Sequence, residues 1–153
     1  MDLVLWRHAE AFEPAGSAAD LERALTPKGE RQAAAVAAWL QQHLPRATRV
    51  LASPARRAQQ TAAAFGQRFA TVPALAPGGS VEALLAAARW PDARGAVLVV
   101  GHQPTLGMAA AFLMTGQPQP WTIRKAGVVW LRGRERDGAL QVVLHAAIGP
   151  DQL

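Results

Sequence analysis

The sequence contains no cysteine, which excludes disulfide bonds, thiolate metal sites and a cysteine nucleophile. It also lacks a long apolar run, since stretches such as 96–100 and 108–114 are far shorter than a membrane span. Only two residues precede the first short apolar run, which is not the pattern of a signal peptide. These absences predict a soluble, cytoplasmic protein with no membrane partner.

Motifs for metals and nucleotides are also missing. The histidines do not form H-E-x-x-H or H-x-H, and no acidic cluster surrounds them. There is no Walker-type glycine loop, no G-x-G-x-x-G and no G-x-S-x-G. The sequence therefore predicts neither a metal ion nor an organic cofactor.

Lysine is scarce: nearly all of the 16 basic residues are arginines. The formal net charge of the chain is +5. One explanation is a GC-rich genome, which favours alanine and arginine. The other is an acidic ligand such as phosphate, a phosphoprotein or nucleic acid. Composition alone favours neither explanation over the other.

The order of strand and helix patterns predicts the fold. The 153 residues carry no internal repeat or linker, so we expect one domain over 1–153. Residues 12–24 are rich in turn formers and predict a surface loop. The alternation of elements, followed by a hairpin, predicts a three-layer α/β/α sandwich with a mostly parallel central sheet and a C-terminal antiparallel hairpin. Strands are predicted at 2–7, 49–52, 96–100, 128–131 and 140–144, and helices at 27–43, 55–68, 80–89 and from Pro104 to near Gly116.

Three predicted strands end in residues that carry charge or titrate. Arg7 and His8 follow the first strand, residues 53–57 follow the second, and His102 follows the central one. Carboxyl ends of parallel strands meet at one edge of a sheet, and helix N-termini there favour anions. Each residue alone has a structural explanation, but their convergence predicts a phosphate site.

The chemistry of such a site follows from these residue types. Neutral imidazole is a nucleophile towards phosphorus, and the cations of Arg7 and Arg57 would keep His8 neutral by lowering its pKa. The same cations would hold the oxygens of the transferring phosphoryl group. His102 would donate a hydrogen bond to one of these oxygens. His8 would carry the phosphoryl group until water releases it.

Four short motifs resemble those of the histidine phosphatase (phosphoglycerate mutase-like) superfamily in order and spacing over almost the whole chain. They are R-H-A at 7–9, L-T-P-K-G at 25–29, S-P-A-R-R-A-Q-Q-T-A at 53–62 and G-H-Q-P at 101–104. The third motif is similar to S-P-x-x-R-A-x-Q-T-A, which places the phosphate-binding arginine at Arg57 rather than Arg56. The compact length resembles the short bacterial phosphohistidine phosphatases of this superfamily.

The resemblance implies a metal-independent phosphatase with a phosphohistidine intermediate on His8. It implies that Arg7, Arg57 and His102 bind the phosphoryl group and complete the catalytic set. The implied substrate is phosphohistidine on a protein such as a phosphotransfer domain.

The sequence departs from the superfamily pattern at two points. Ala9 stands where the motif has glycine. The acid that protonates an alcohol leaving group in longer members has no clear match, although Glu82 lies in roughly the right window. Glu10 and Glu13 are near His8 but are expected to be solvated. A phosphohistidine P–N bond needs less help from an acid, so a missing acid favours that substrate.

Three other functions remain open on this sequence. One is a general small-molecule phosphomonoesterase, and another is a module that binds a phospho-ligand without turnover. The third, nucleic-acid binding, is disfavoured because the arginines are scattered along the sequence. In addition, the alternating pattern of its predicted strand places Trp130 in the core, where it would not stack on a base. His43, at a predicted helix C-terminus, and His145, in the last predicted strand, are interpreted as structural.

Overall fold

The computed structural model describes residues 1–14 and 19–153. Its strands are β1 (Asp2–Arg7), β2 (Arg49–Ala52), β3 (Ala70–Thr71), β4 (Ala96–Gly101), β5 (Val128–Arg136) and β6 (Ala139–Ile148). Its α-helices are α1 (Pro27–His43), α2 (Arg56–Ala64), α3 (Val81–Ala88) and α4 (Thr105–Thr115). Short 3-10 turns occur at Asp20–Glu22, Pro73–Leu75 and Pro150–Gln152.

The six strands form one sheet in the order β3-β2-β4-β1-β5-β6. The pairs β1–β4, β2–β4 and β2–β3 are parallel, whereas β5 is antiparallel to β1 and to β6. In the parallel registers Arg7 lies opposite Gly101, and Ala52 lies opposite Val100. The three strand ends that carry reactive residues therefore meet at the centre of one sheet edge, which confirms the prediction.

Helices cover both faces of the sheet because the central strands alternate two sets of apolar side chains. Val4 and Trp6 of β1 belong to a core that includes the buried residues of α1 and α2. Leu3 and Leu5 belong to a second core with residues of α3 and α4. β4 is buried along its whole length, as expected for a strand with helices on both sides. The predicted three-layer sandwich is confirmed.

The observed elements differ from the predicted ones mainly at their ends. α2 stops at Ala64 rather than near residue 68, because Gly66 adopts a positive φ of 82° and turns the chain out of the helix. Ser53 does not cap α2: its Oγ accepts a hydrogen bond from the N–H of Ala55, one residue before the helix begins.

The C-terminal hairpin is longer than predicted on both strands. The tight turn at Asp137 and Gly138, with φ of 54° and 78°, lets β5 and β6 pair up to residues 136 and 139. The predicted loop at 12–24 lies partly outside the described residues, and its described part contains the Asp20–Glu22 turn. No helix in 1–14 or 19–153 is both long and apolar enough to cross a membrane.

Candidate active site

Two histidines are in contact at the centre of the sheet edge. His8 follows β1 and His102 follows β4, and the backbone N–H of His8 donates to the carbonyl of Gly101 at 3.1 Å. The ring centroids are 5.2 Å apart, with the planes tilted by 53°. Both side chains are buried, at 8% and 4% exposure. The structure thus brings together two imidazoles that are far apart in the sequence.

The hydrogen bond of His8 determines which ring nitrogen is free. Its Nδ1 lies 2.7 Å from the carbonyl oxygen of Ala9. A carbonyl oxygen only accepts, so Nδ1 carries the proton and Nε2 of the neutral ring keeps its lone pair. Ala9 is itself fully buried in the core beside α1 and α2, so the methyl group that replaces the usual glycine hydrogen is accommodated.

His102 is oriented by a serine from the neighbouring strand end. Its Nε2 lies 2.7 Å from Oγ of Ser53, and this oxygen already accepts the N–H of Ala55 at 3.1 Å. When the Ser53 hydroxyl donates its proton to Nε2, Nδ1 is the protonated nitrogen of the neutral His102 ring. That Nδ1 is buried and has no hydrogen-bond partner within the described part of the chain.

Burial keeps both rings neutral. Desolvation lowers the pKa of His8 to about 4, and the positive charges of Arg57, Arg7 and Arg23 act in the same direction. Desolvation likewise lowers the pKa of His102 to about 3, assisted by His8 and Arg57. At neutral pH the site therefore contains two uncharged imidazoles beside arginine cations.

These depressed pKa values predict acid sensitivity of folding. An ordinary histidine in the unfolded chain binds a proton near pH 6.5, whereas buried His8 and His102 do so only near pH 4 and 3. Their contribution to stability is complete above pH 6.5 and is lost as the pH falls towards 4, because the unfolded state binds more protons. The midpoint of urea unfolding is therefore expected to fall across this range.

A His8→Gln/His102→Gln double variant provides the comparison, because glutamine retains polar groups but does not titrate. Its unfolding midpoint should depend less steeply on pH between 6.5 and 4 than that of the wild type. His43→Gln, at an exposed position, should match the wild type. Equal slopes for the double variant and the wild type would show that burial does not depress the pKa of either ring in the folded protein.

Arg57 forms a salt bridge with Asp20, which also pairs with Arg23. It is almost fully buried, with a side-chain exposure of 5%, whereas Arg56 is exposed. Its two Nη atoms donate to Asp20, one to the backbone oxygen at 2.9 Å and one to Oδ2 at 3.0 Å. Arg23 donates to Oδ1 of the same carboxylate at 3.1 Å.

Asp20 and Arg23 were not predicted from the sequence as part of the site. Burial would raise the pKa of Asp20, but its hydrogen bonds to Arg23 and Arg57 hold that pKa below the usual value. The only local signal was an opposite-charge pair three residues apart, just before the L-T-P-K-G segment, and such pairs are common on surfaces.

Other residues of the sequence motifs form hydrogen bonds that connect the segments around the two histidines. Thr61 of α2 accepts the N–H of Ala9 at 3.1 Å, and Gln60 accepts the N–H of Leu25 at 2.7 Å. Glu10, predicted to be solvated, instead accepts a hydrogen bond from the hydroxyl of Thr26 at 2.7 Å, next to the start of α1. These hydrogen bonds tie the R-H-A, L-T-P-K-G and S-P-A-R-R-A-Q-Q-T-A segments to one another.

The remaining sequence candidates lie elsewhere. Glu82 is exposed in the first turn of α3 and makes no hydrogen bond or ion pair within 1–14 and 19–153. Glu13 is also exposed. His43 donates to the carbonyl of Trp39 in the last turn of α1, and His145 packs against Trp130 with ring centroids 4.6 Å apart. Both histidines therefore have the structural surroundings that the sequence predicted.

Comparisons with known proteins agree on one family. The model of the histidine phosphatase superfamily (branch 1) matches residues 3–78. An uncharacterised protein of Picosynechococcus sp. is 40% identical, over 95% of this chain and 90% of that protein. The phosphohistidine phosphatase SixA of Escherichia coli is 32% identical over 78% of each chain.

Solved structures show the same relationship over the full length. The protein histidine phosphatase SixA complexed with tungstate superposes with a TM-score of 0.79 at 27% identity, covering 99% of both chains. The chain therefore belongs to the histidine phosphatase superfamily and is a phosphatase acting on phosphorylated substrates. Within that superfamily it falls in the SixA-like branch.

Proposed function

We propose that the chain, acting as a single domain, hydrolyses phosphohistidine on a protein through a phosphoryl intermediate on His8. The observation that carries this proposal is the hydrogen bond from His8 Nδ1 to the carbonyl of Ala9, which leaves Nε2 unprotonated and nucleophilic. The similarity to SixA proteins supports a phosphohistidine substrate. Tungstate in one of those structures is a tetrahedral oxyanion, as phosphate is.

In the first step Nε2 of His8 forms a bond to phosphorus as the P–N bond of the substrate breaks. The His8 proton stays on Nδ1, where the Ala9 carbonyl stabilises the positive ring that results. A substrate imidazole that is protonated on its other nitrogen leaves as a neutral ring, so this step requires no carboxylic acid. In the second step water attacks phosphorus, the His8 bond breaks, and inorganic phosphate and a proton are released.

The other site residues have electrostatic roles in this proposal. Arg7 and Arg57 hold the phosphoryl oxygens, where positioned cations stabilise the charge of the transition state. His102 donates from Nδ1 to a phosphoryl oxygen, with Ser53 on its other nitrogen. Because its pKa is about 3, it acts as a neutral donor and not as a proton source at pH 7.

The exposed position of Glu82 supports the phosphohistidine substrate over a phosphate monoester. An alkoxide leaving group requires a proton, and a carboxyl group that supplies it at neutral pH needs burial to raise its pKa. Glu82 is solvent-exposed and has no bonded partner among the described residues. The site residues that the structure groups around His8 therefore suit a leaving group that departs as a neutral base.

A comparison of substrates tests this function. We expect turnover of a phosphohistidine protein to exceed that of a sugar phosphate and an aryl phosphate by at least about 100-fold in kcat/KM, an energy difference of roughly 2.7 kcal/mol. Adding a chelator such as EDTA should leave the rate unchanged. Faster turnover of the sugar phosphate would assign the chain to small-molecule phosphomonoesterases, and trapping no phosphoryl group on His8 would reject the intermediate.

A further inference from the structure

A groove of about 700 Å³ opens at the same sheet edge as His8, on the side of β5 and β6. Arg7 lines one part of it, so the groove adjoins the proposed phosphoryl site. Its walls come from the first turns of α1, residues 122–129 and residues 147–152. This volume is several times that of one phosphoryl group, so the groove can receive more of a substrate than the reacting group alone.

The groove is strongly cationic. Besides Arg7, it is lined by Lys28, Arg124 and Lys125, and among residues 1–14 and 19–153 Asp151 is its only acidic lining residue. Lys28 and Lys125 are the only lysines in the chain, although it contains many arginines. Asp151 pairs with Arg124 at 3.3 Å, but both side chains are more than 70% exposed. Such a pair is weak, so an incoming carboxylate competes readily with Asp151.

The loop that carries two of these cations is fastened to the strand end that carries His8. Arg7 donates from Nη1 to the carbonyl of Ile123 at 2.9 Å and from its backbone N–H to the carbonyl of Gly127 at 3.0 Å. The N–H of Ala126 donates to the carbonyl of His8 at 3.1 Å. Residues 124 and 125 lie between these attachment points, so their backbone is fixed beside the strand end that carries His8.

Lys28, the third cation, belongs to the part of the groove that α1 forms. Lys28 lies in the first turn of α1, next to Gly29, on which a Cβ would collide with the carbonyl oxygen of Glu10. The N–H of Thr26 donates to that same carbonyl at 3.0 Å. The helix start is thus packed tightly on the segment that follows His8, and the position of Lys28 relative to the nucleophile is set by backbone contacts.

We propose that this cationic groove is the docking surface for an acidic face of the phosphoprotein substrate, next to its phosphohistidine. The inference rests on the proposed function. Cations spread along a groove beside the reaction site complement carboxylates on a protein surface and steer its approach. Because Lys28, Arg124 and Lys125 are exposed, they act mainly on the rate of encounter, and the effect should weaken as salt increases.

A charge-reversal pair tests the groove. Lys28→Glu/Lys125→Glu changes the net charge by four units, and glutamate is favourable in the first turn of a helix, which favours retention of the fold at residue 28. Arg134→Glu/Arg136→Glu is the matched control: it makes the same charge change at exposed positions of β5. These positions lie beyond the Asp2 end of β1, at the sheet edge opposite His8.

Each protein would be assayed on a phosphohistidine protein with an acidic surface and on free phosphohistidine. The groove variant is expected to lose roughly tenfold or more in kcat/KM on the phosphoprotein and less than about threefold on the free amino acid. The control variant should stay within about threefold on both. The salt dependence of kcat/KM on the phosphoprotein should be shallower for the groove variant than for the wild type.

The outcomes separate the two proposals. If the wild type turns over the phosphoprotein and the groove variant matches the control, the docking surface is wrong and the proposed function stands. Equal losses on both substrates would also reject docking, because they would show a general effect on the phosphoryl site. If the wild type hydrolyses only other phosphorylated compounds, the proposed function is wrong and the docking inference falls with it.

Discussion

His8→Ala is expected to abolish phosphatase activity, with kcat/KM reduced by about 10⁴-fold or more, the scale of losing a nucleophile. His8 is buried, and its hydrogen bond to Ala9 leaves the lone pair on Nε2 free. Alanine offers no atom to accept the phosphoryl group, and in the proposed mechanism the remaining arginines bind that group but do not attack phosphorus. Initial rates on the preferred substrate measure the loss, and ³¹P labelling of the quenched enzyme should show no phosphorylated histidine.

His43→Ala is the control for this prediction. It also removes an imidazole, but from an exposed position at the end of α1, and its activity should stay within about twofold of the wild type, as for a typical surface substitution. Thermal unfolding of both variants would show that they are folded. Turnover by His8→Ala within tenfold of the wild type would remove His8 as the nucleophile and require another group to attack phosphorus.

Arg57→Ala is expected to lower kcat/KM by roughly 10²–10³-fold, whereas the neighbouring Arg56→Ala should change it by less than about threefold. The two arginines are adjacent in α2, yet Arg57 is buried among the site residues and Arg56 faces solvent. In the proposed mechanism only the buried guanidinium stabilises the developing negative charge. Steady-state kinetics of the two variants under one set of conditions measure the difference.

Arg57→Lys separates loss of charge from loss of geometry. Lysine keeps the positive charge but has no planar pair of Nη donors like the one that Arg57 uses towards Asp20, so its activity should lie between those of Arg57→Ala and the wild type. A severe defect in Arg56→Ala with a mild one in Arg57→Ala would shift the match to the superfamily motif by one residue.

Most of the fold was predictable because its signals are local. α1 spans the predicted range of about 27–43, because a Thr-Pro start and apolar residues at helical spacing are both readable in a short window. The ends of α2, β5 and β6 were less predictable. They are set by the turns at Gly66 and Asp137, where φ is positive, and by how far the strands pair beyond the turn.

The site residues also fall into those that local sequence patterns predict and those that only the packing of distant segments reveals. The strand-end positions of His8 and His102 follow from apolar runs that stop at a polar residue, and the parallel order of strands then brings both to one edge. Glu10 was misjudged as solvated because its partner Thr26 lies 16 residues away and reaches it only when α1 packs on the segment after β1. Glu82 fell in a plausible window, but α3 presents it to solvent.

Patterns along the chain were sufficient to identify the layers of the fold, the edge where chemistry is concentrated and the residue types gathered there. Hydrophobic periodicity and turn chemistry are properties of neighbouring residues, so they survive without knowledge of the folded shape. The folded chain alone decided which nitrogen of His8 is free, and that Asp20 joins Arg57 to Arg23 across 37 residues. Hydrogen bonds and charge pairs between distant segments depend on how those segments pack, and no local pattern records that arrangement.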